Sequence, residues 1–433
     1  MSEVLGPVAR RRAHQAEIEA LLTRPRGLAG PAFGAAAGVL GLLALAAGVN
    51  LGMLALGSAE PRAKWGYTAS AVAFLLQTFQ GAPLLALTAR LTKSLWAASL
   101  NRIAELMALG GLITAPVFVL LLFQLPDWHT RPSIWFDWPG APQGYDAAAI
   151  LMLALAGLSL VELTTRPDRR SANPKHWALL DAGAGTLGAI YALLYVYVQV
   201  LLMGDLAMSL VPGWHSAIVP ASHAIQGLQA GFASVVLAAA LTRRLGRVQH
   251  AMPLDAFWSA SKLLLALTLL FFYLFWAEFL TYWYGRRPDE QTLLTLLMFG
   301  PYAVPFALSL LLNFAAPFAL LIWNRVRRSV AGPMAAAASI VLGSLFEQIR
   351  LFVPAWSLAG PVRKELEAIP PAVFPALPDV LILIGLPAAA ALLTICALRA
   401  VAPVSIWEYK SELLLKADEP YLRAEVTVLA KPS

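Results

Sequence analysis

Apolar residues in this chain come in long blocks, and most charged residues fall in the gaps between them. The blocks lie near 35–58, 66–89, 103–125, 146–163, 177–203, 217–241, 257–284, 300–323, 333–354 and 378–398. Each approaches the roughly 20 residues a helix needs to cross the hydrocarbon of a bilayer. The pattern predicts an all-α polytopic membrane protein with ten transmembrane helices and both termini on one side. Ahead of the first block, residues 12–24 read as a short surface helix with Ile18, Leu21 and Leu22 on one side. The tail from Ala400 to Ser433 is polar with scattered Leu and Val, and is expected along the membrane face.

Composition agrees with this division. Of 433 residues 59% are hydrophobic and 13% charged, against about 25% charged in a soluble domain. Divided by side, 23 Lys and Arg fall toward the termini and 8 toward the other face, counting Arg350 near the outer end of the ninth block, with Lys262 inside the seventh. Such a bias places both termini in the cytoplasm of a cell whose inner membrane the chain spans. The net charge of +7 is then a topology signal, and nucleic acid is not expected as a partner. The single cysteine, Cys396, excludes an internal disulfide and a four-thiolate iron–sulfur cluster. Met1 to Gly30 is polar and arginine-bearing, without the apolar core of a cleavable signal.

Polar groups inside the blocks carry the candidate chemistry. A charge at the bilayer centre costs roughly 2.5–3.5 kcal/mol on insertion scales, so one that is kept usually has a partner or a task. The stretch from Asp205 to His223 concentrates Asp205, His215 and His223 where the fifth and sixth blocks meet one surface. Glu278, Glu347 and Arg350 lie toward the same face, Glu105, Asp181 and Lys262 toward the cytoplasmic one, and Gln77 and Gln80 near mid-block. Structural readings stand beside functional ones. Glu347 and Arg350, three apart, can pair with each other; Lys262 can pair with Asp181 or snorkel to the surface. Of six histidines only His223 lies inside a block, which disfavours a bis-histidine haem. No P-loop is present, which excludes an ATP-driven pump.

The non-cytoplasmic loops 126–145, with Trp128, Trp135 and Trp138, and 355–377, rich in proline, are long. They fit either an interfacial aromatic belt or a docking surface for a periplasmic subunit.

Several runs in order resemble the NrfD/PsrC family of quinone-interacting membrane subunits, closest to the large membrane subunits of bacterial alternative complex III. They are Ser209-Leu210-Val211-Pro212-Gly213-Trp214-His215-Ser216 with Ile218 and Pro220, then Lys262, Glu278 and Trp283-Tyr284-Gly285. Gly300-Pro301-Tyr302, Asn313 with Pro317, Phe346-Glu347 with Arg350, and Asn101-Arg102 with Glu105 complete the set. The likeness covers about residues 66–356 and is more specific in the second half. It implies two four-helix bundles, 66–203 and 217–356, joined by a periplasmic loop at 204–216. Peripheral helices then belong to 35–65 and 357–398, and cytoplasmic segments to 1–34 and 399–433. It implies quinol, such as menaquinol, oxidised beside the first bundle. Electrons would pass to a periplasmic iron–sulfur subunit and a multihaem cytochrome c, among other integral subunits that include a homologue. The chain itself is expected to hold no haem or iron–sulfur cluster.

The chain departs from the family pattern where a histidine near Gln80 and the His-Leu-Gly-Arg-Pro-Trp ending of the third helix are usual. Phe123-Gln124-Leu125-Pro126-Asp127-Trp128 stands in the latter place, and Ala256 and Trp258 replace the histidine and glutamate usual before Lys262. The resulting expectation is a quinone-binding or proton-accepting set of Asp205, His215, His223, Glu278, Asp127, His129 and Gln80. Glu105, Asp181, Lys262, Glu347 and Arg350 are the expected proton route, and no metal site is expected. A non-catalytic scaffold for redox subunits and a stand-alone secondary transporter are the alternatives.

Overall fold

The computed structural model describes residues 31–57, 62–126, 142–169, 177–245, 248–249, 251–358, 366, 368–408, 416–421 and 424–429. The surface helix expected at 12–24 and the aromatic loop holding Asp127, Trp128, His129, Trp135 and Trp138 lie outside those residues.

Ten helices are long and apolar enough to cross a membrane, and the protein is a multi-pass membrane protein. They are α1 (Phe33–Leu56), α2 (Arg62–Leu91), α3 (Ala98–Leu122), α4 (Gln143–Asp168) and α5 (Leu179–Leu210). The remainder are α6 (Ile218–Leu245), α7 (Leu254–Gly285), α8 (Ala303–Leu321), α9 (Ala331–Ser357) and α10 (Leu377–Ala400). Helices prevail because hydrocarbon offers no partner to a backbone N–H or C=O, and a helix satisfies both within itself. Beyond α10, Lys416–Tyr421 (β1) and Ala424–Leu429 (β2) pair as an antiparallel hairpin, an element the tail's composition did not suggest.

Helix α2 is the axis of the molecule. Its most apolar window is 94% buried, against 6% for α1. It packs along α6, α9 and α10 as well as α3 and α5, so the two expected groups of four share a continuous interface. Helix α1 lies against α10, with Gly385 admitting the Leu43 carbonyl and Arg399 over the Phe33 ring at 5.0 Å. Small residues permit such close approach where lipid, as apolar as leucine, gives no hydrophobic drive to helix association. Helices α2 and α6 also cross closely. A Cβ on Gly231 would come within 2.4 Å of the Gly81 carbonyl carbon, and toward α5 one on Gly227 would come within 2.1 Å of the Tyr195 hydroxyl oxygen.

The helix ends define two faces. On one, the chain after α10 returns over the ends of α2, α3 and α4. On the other, the Trp356 indole donates to the Leu206 carbonyl at 2.9 Å, and Tyr67 donates to the Val373 carbonyl at 2.8 Å. The α-helical part of the fifth span runs to Leu206, so Asp205 lies on its last turn and not in the expected 204–216 loop. Gly213, at φ 78°, then turns the chain toward α6, a conformation glycine adopts without strain.

Replacing Gly231 by valine is expected to push α2 from α6. Overpacking of a close-packed interior costs about 1–3 kcal/mol, and a lowered thermal midpoint of the purified protein measures it; an unchanged midpoint would mean that this crossing yields freely.

Candidate functional site

Two layers of buried charge lie at opposite ends of the bundle. In the face bearing the C-terminal segment, the Arg90 guanidinium from α2 pairs with Glu105 of α3 and with Glu408, 318 positions away in sequence. Asp181 stands 3.8 Å from the same guanidinium, and Asn101 donates to Glu408 at 3.1 Å. Beside them the fully buried Arg102 pairs with Asp168 at 2.7 Å. Asp168 also accepts the backbone N–H of Ile406 and of Trp407, each at 3.2 Å. These contacts tie the C-terminal segment to the bundle. Glu105 is therefore part of a clamp, and Asp181, with its side chain 58% exposed, is its rim. The pairing of Lys262 with Asp181 considered from sequence does not form: Lys262 is exposed with its ammonium 3.6 Å over the Trp258 ring, where Arg328 also stacks.

Toward the opposite face a cavity opens between α6, α7, α9 and the chain joining α7 to α8. His223 and Gln226, Glu278 and Tyr282, Glu347 and Arg350 supply its polar lining; Trp214, Phe275, Leu297 and Met298 are among its apolar walls. Its volume is about 30 Å³, room for two or three waters where each needs roughly 10–15 Å³. Arg350 grips Glu347 through two nitrogens, with Nε at 2.6 Å, as the i, i+3 spacing suggested. From Glu347 a polar row runs inward: Ser309 donates to it at 2.7 Å, Asn313 donates to Ser309 at 3.0 Å, and Gln229 donates to the Asn313 carbonyl at 2.8 Å. Glu278 makes no ion pair within 4 Å among the described residues; the Arg350 charge acts on it from farther away and Tyr282 lies beside it.

A knot of amides adjoins the cavity. Gln77 from α2, Gln226 from α6 and Gln348 from α9 bond to one another at 2.8–3.4 Å, and His223 Nε2 lies 2.9 Å from Gln348 Oε1. Gln77 occupies a π-helical turn, Leu76–Gln80, and Asn313 another, Leu311–Ala315; such turns recur at functional sites. Three lining residues each keep a buried nitrogen without a hydrogen-bond partner among the described residues: Trp214 Nε1, Gln226 Nε2 and His223 Nδ1.

Of the expected site residues, the fold brings His223, Glu278, Glu347 and Arg350 into one cavity. Asp205 is buried on the last turn of α5 and His215 is exposed in the connector; neither lines the cavity. Gln80 is turned to α3 and α5, donating to the Ala108 carbonyl at 3.2 Å and accepting from Tyr191 at 3.0 Å. Asp127 and His129 lie outside the described residues. Sequence reasoning did not assign Arg90, Arg102, Asp168, Glu408, Gln226 or Gln348 to a site. The amides gave one signal, the spacing of His223 and Gln226 on a single helical face. No family model matches the chain, and no curated protein does.

The clamp carries a direct test. Arg90→Met strands two buried carboxylates; breaking a buried pair from one side costs about 3–5 kcal/mol. The expected result is a much lower thermal midpoint, largely restored in Arg90→Met/Glu105→Gln/Glu408→Gln. A triple variant as unstable as the single one would mean that the guanidinium stabilises by packing rather than by charge.

Proposed function

We propose that this chain is a quinone-interacting integral subunit of a multisubunit electron-transfer complex in a bacterial inner membrane, similar to alternative complex III. The observation that carries the reading is one cavity near a membrane face that joins a carboxylate without a close ion pair, Glu278, to a buried imidazole, His223, under an aromatic and aliphatic wall. A quinol site needs those parts: flat apolar surface for the ring, hydrogen-bond partners for its oxygens, and an acceptor for each proton released. The helices are then arranged as two groups, α2–α5 and α6–α9, with α1 and α10 outside and the termini cytoplasmic. The site belongs to the second group, in place of the first-bundle site implied by the family resemblance. A ring enters as the wall of Leu293, Leu294, Leu297 and Met298 moves outward. Protons leave through Glu278 and His223; electrons leave to a periplasmic iron–sulfur partner and on to a multihaem cytochrome c. Asp205 supports the connector beneath that partner, and Glu347 with Arg350 sets the field at the cavity.

The π-helical turns in α2 and α8 favour a second reading, a secondary transporter, since interrupted helices carry binding sites in that class. Purification separates the two: a quinol-oxidising subunit comes with redox partners, a transporter without them.

In the intact complex, Glu278→Gln is expected to lower quinol oxidation about 100-fold, within the range for loss of a proton acceptor. Asp205→Asn, off the cavity, is expected to change turnover less than tenfold. Wild-type turnover and quinone affinity in Glu278→Gln would reduce Glu278 to a structural group.

A further inference from the structure

We infer that Gln77 and Gln348 act as positioning residues that lock His223 in the tautomer protonated on Nε2, so that the cavity takes the hydroxyl-bearing, reduced form of a quinone head group in preference to the oxidised form. The selectivity rests on the function proposed above; the lock does not.

One group beside the amide knot has a fixed role. A backbone carbonyl only accepts hydrogen bonds, and the His223 carbonyl oxygen lies 3.4 Å from Gln77 Nε2. Turning the Gln77 amide over would set oxygen against oxygen there, so its nitrogen faces α6 and its Oε1 faces α9. That oxygen accepts from Gln348 Nε2 at 2.8 Å. Gln348 Oε1 is thereby directed at His223 Nε2, 2.9 Å away, and an amide oxygen calls for an N–H. The remaining amide gives a second pin. Gln226 Oε1 receives Gln77 Nε2 at 3.1 Å and Gln348 Nε2 at 3.4 Å, and reversing it would set nitrogen against two nitrogens. Which nitrogen of an imidazole carries the proton follows from such a network.

Two consequences reach the cavity. With Nε2 as the donor, a neutral His223 has a lone pair on Nδ1, which is buried and meets no partner among the described residues. The ring is 3% exposed and packed edge-on to Phe352 at 6.1 Å, while Glu347, next to Gln348, is held by Arg350. Burying a charged ring in that position is costly. Gln226, with its oxygen turned to the amide knot, leaves its N–H₂ unpartnered, and the Trp214 N–H is unpartnered as well. All three residues line the cavity, so together they would present an occupant with two donors and one acceptor. A hydroxyl satisfies all of them, donating to Nδ1 and accepting from Gln226 and Trp214. A ketone oxygen meets the two donors but opposes its lone pair to that of Nδ1.

The test uses the full chain in lipid bilayers, labelled with ¹⁵N at the imidazole nitrogens, with His223→Gln to assign the signal. The wild-type spectrum is expected to show His223 with a protonated Nε2 and a bare Nδ1; a protonated Nδ1 overturns the lock without any variant having to fold. In Gln348→Met and Gln77→Met the signal is expected to move toward a mixture of tautomers. An unchanged signal in Gln348→Met would also overturn it. Short-chain menaquinol and the matching menaquinone then serve as probes. The wild type is expected to bind the quinol at least tenfold more tightly, and Gln348→Met to bring the ratio close to one. Equal binding of both probes by the locked protein overturns the selectivity. A locked tautomer with no binding of either probe leaves the lock standing and removes the function proposed above.

Discussion

A helix buried on every side can satisfy its polar side chains only from the helices that touch it, and α2 sets that condition for the whole molecule. Its middle carries Gln77 and Gln80, both fully enclosed. An unmet amide in such surroundings costs about 1–3 kcal/mol, so each neighbour must present a complementary group at the right height. Gln80 is met by Tyr191 and the Ala108 carbonyl, Gln77 by Gln226, Gln348 and the His223 carbonyl. The partners come from α3, α5, α6 and α9, and so these bonds fix the rotation of four helices about a fifth. The π-helical turn at Leu76–Gln80 serves the same end, since one extra residue in a turn changes the direction in which an amide points.

Charge obeys a different rule. Arg90, Arg102 and their carboxylates stay at one end and Glu278, Glu347 and Arg350 toward the other. The interval between them holds amides, hydroxyls and hydrocarbon. Taking an ion pair out of water costs several kcal/mol per ion and is only partly returned by the attraction between the partners, which argues against such pairs as sources of raw stability. Their value at the C-terminal face is geometric. Glu408 and the backbone at Ile406 and Trp407 bind groups that α2, α3 and α4 already hold, so the segment leading to the β hairpin is docked by charges in place.

How much of this is legible in the sequence depends on how local the cause is. The ten helices are, because a run of about 20 apolar residues specifies a span without reference to its neighbours. The ends are less legible: α4, expected over 146–163, runs Gln143–Asp168, α3 begins at Ala98, and α5 does not stop at 203, ahead of the loop expected from 204. That last helix continues through Gly204 and Asp205, and Ser209 donates to the Asp205 carbonyl at 2.7 Å. His223, Glu278, Glu347 and Arg350 stand out because a charge or imidazole in an apolar run is conspicuous. Gln226 and Gln348 do not, since a neutral amide is cheaper to insert and a sequence does not say which amides meet. Nor does it show that Arg90 and Glu408 meet across 318 positions. His215 and Asp205 show the reverse failure: closeness in sequence to His223 does not put them in its cavity.

The amide knot and the cavity beside it differ in how far their polar groups are met. Gln348, in the knot, has both its oxygen and its nitrogen engaged. One side chain away, Trp214, Gln226 and His223 each keep a nitrogen that no described protein group meets. Packing alone gives no reason for the Trp214 donor, because a phenylalanine at 214 would remove it at little cost in shape. A ligand that reaches these groups must supply the hydrogen bonds they lack or lose affinity. On the function proposed above, an occupant would carry a polar hydroxyl at one end and a flat apolar body against Phe275 and Leu297. That demand comes from the protein's own unfinished hydrogen bonds.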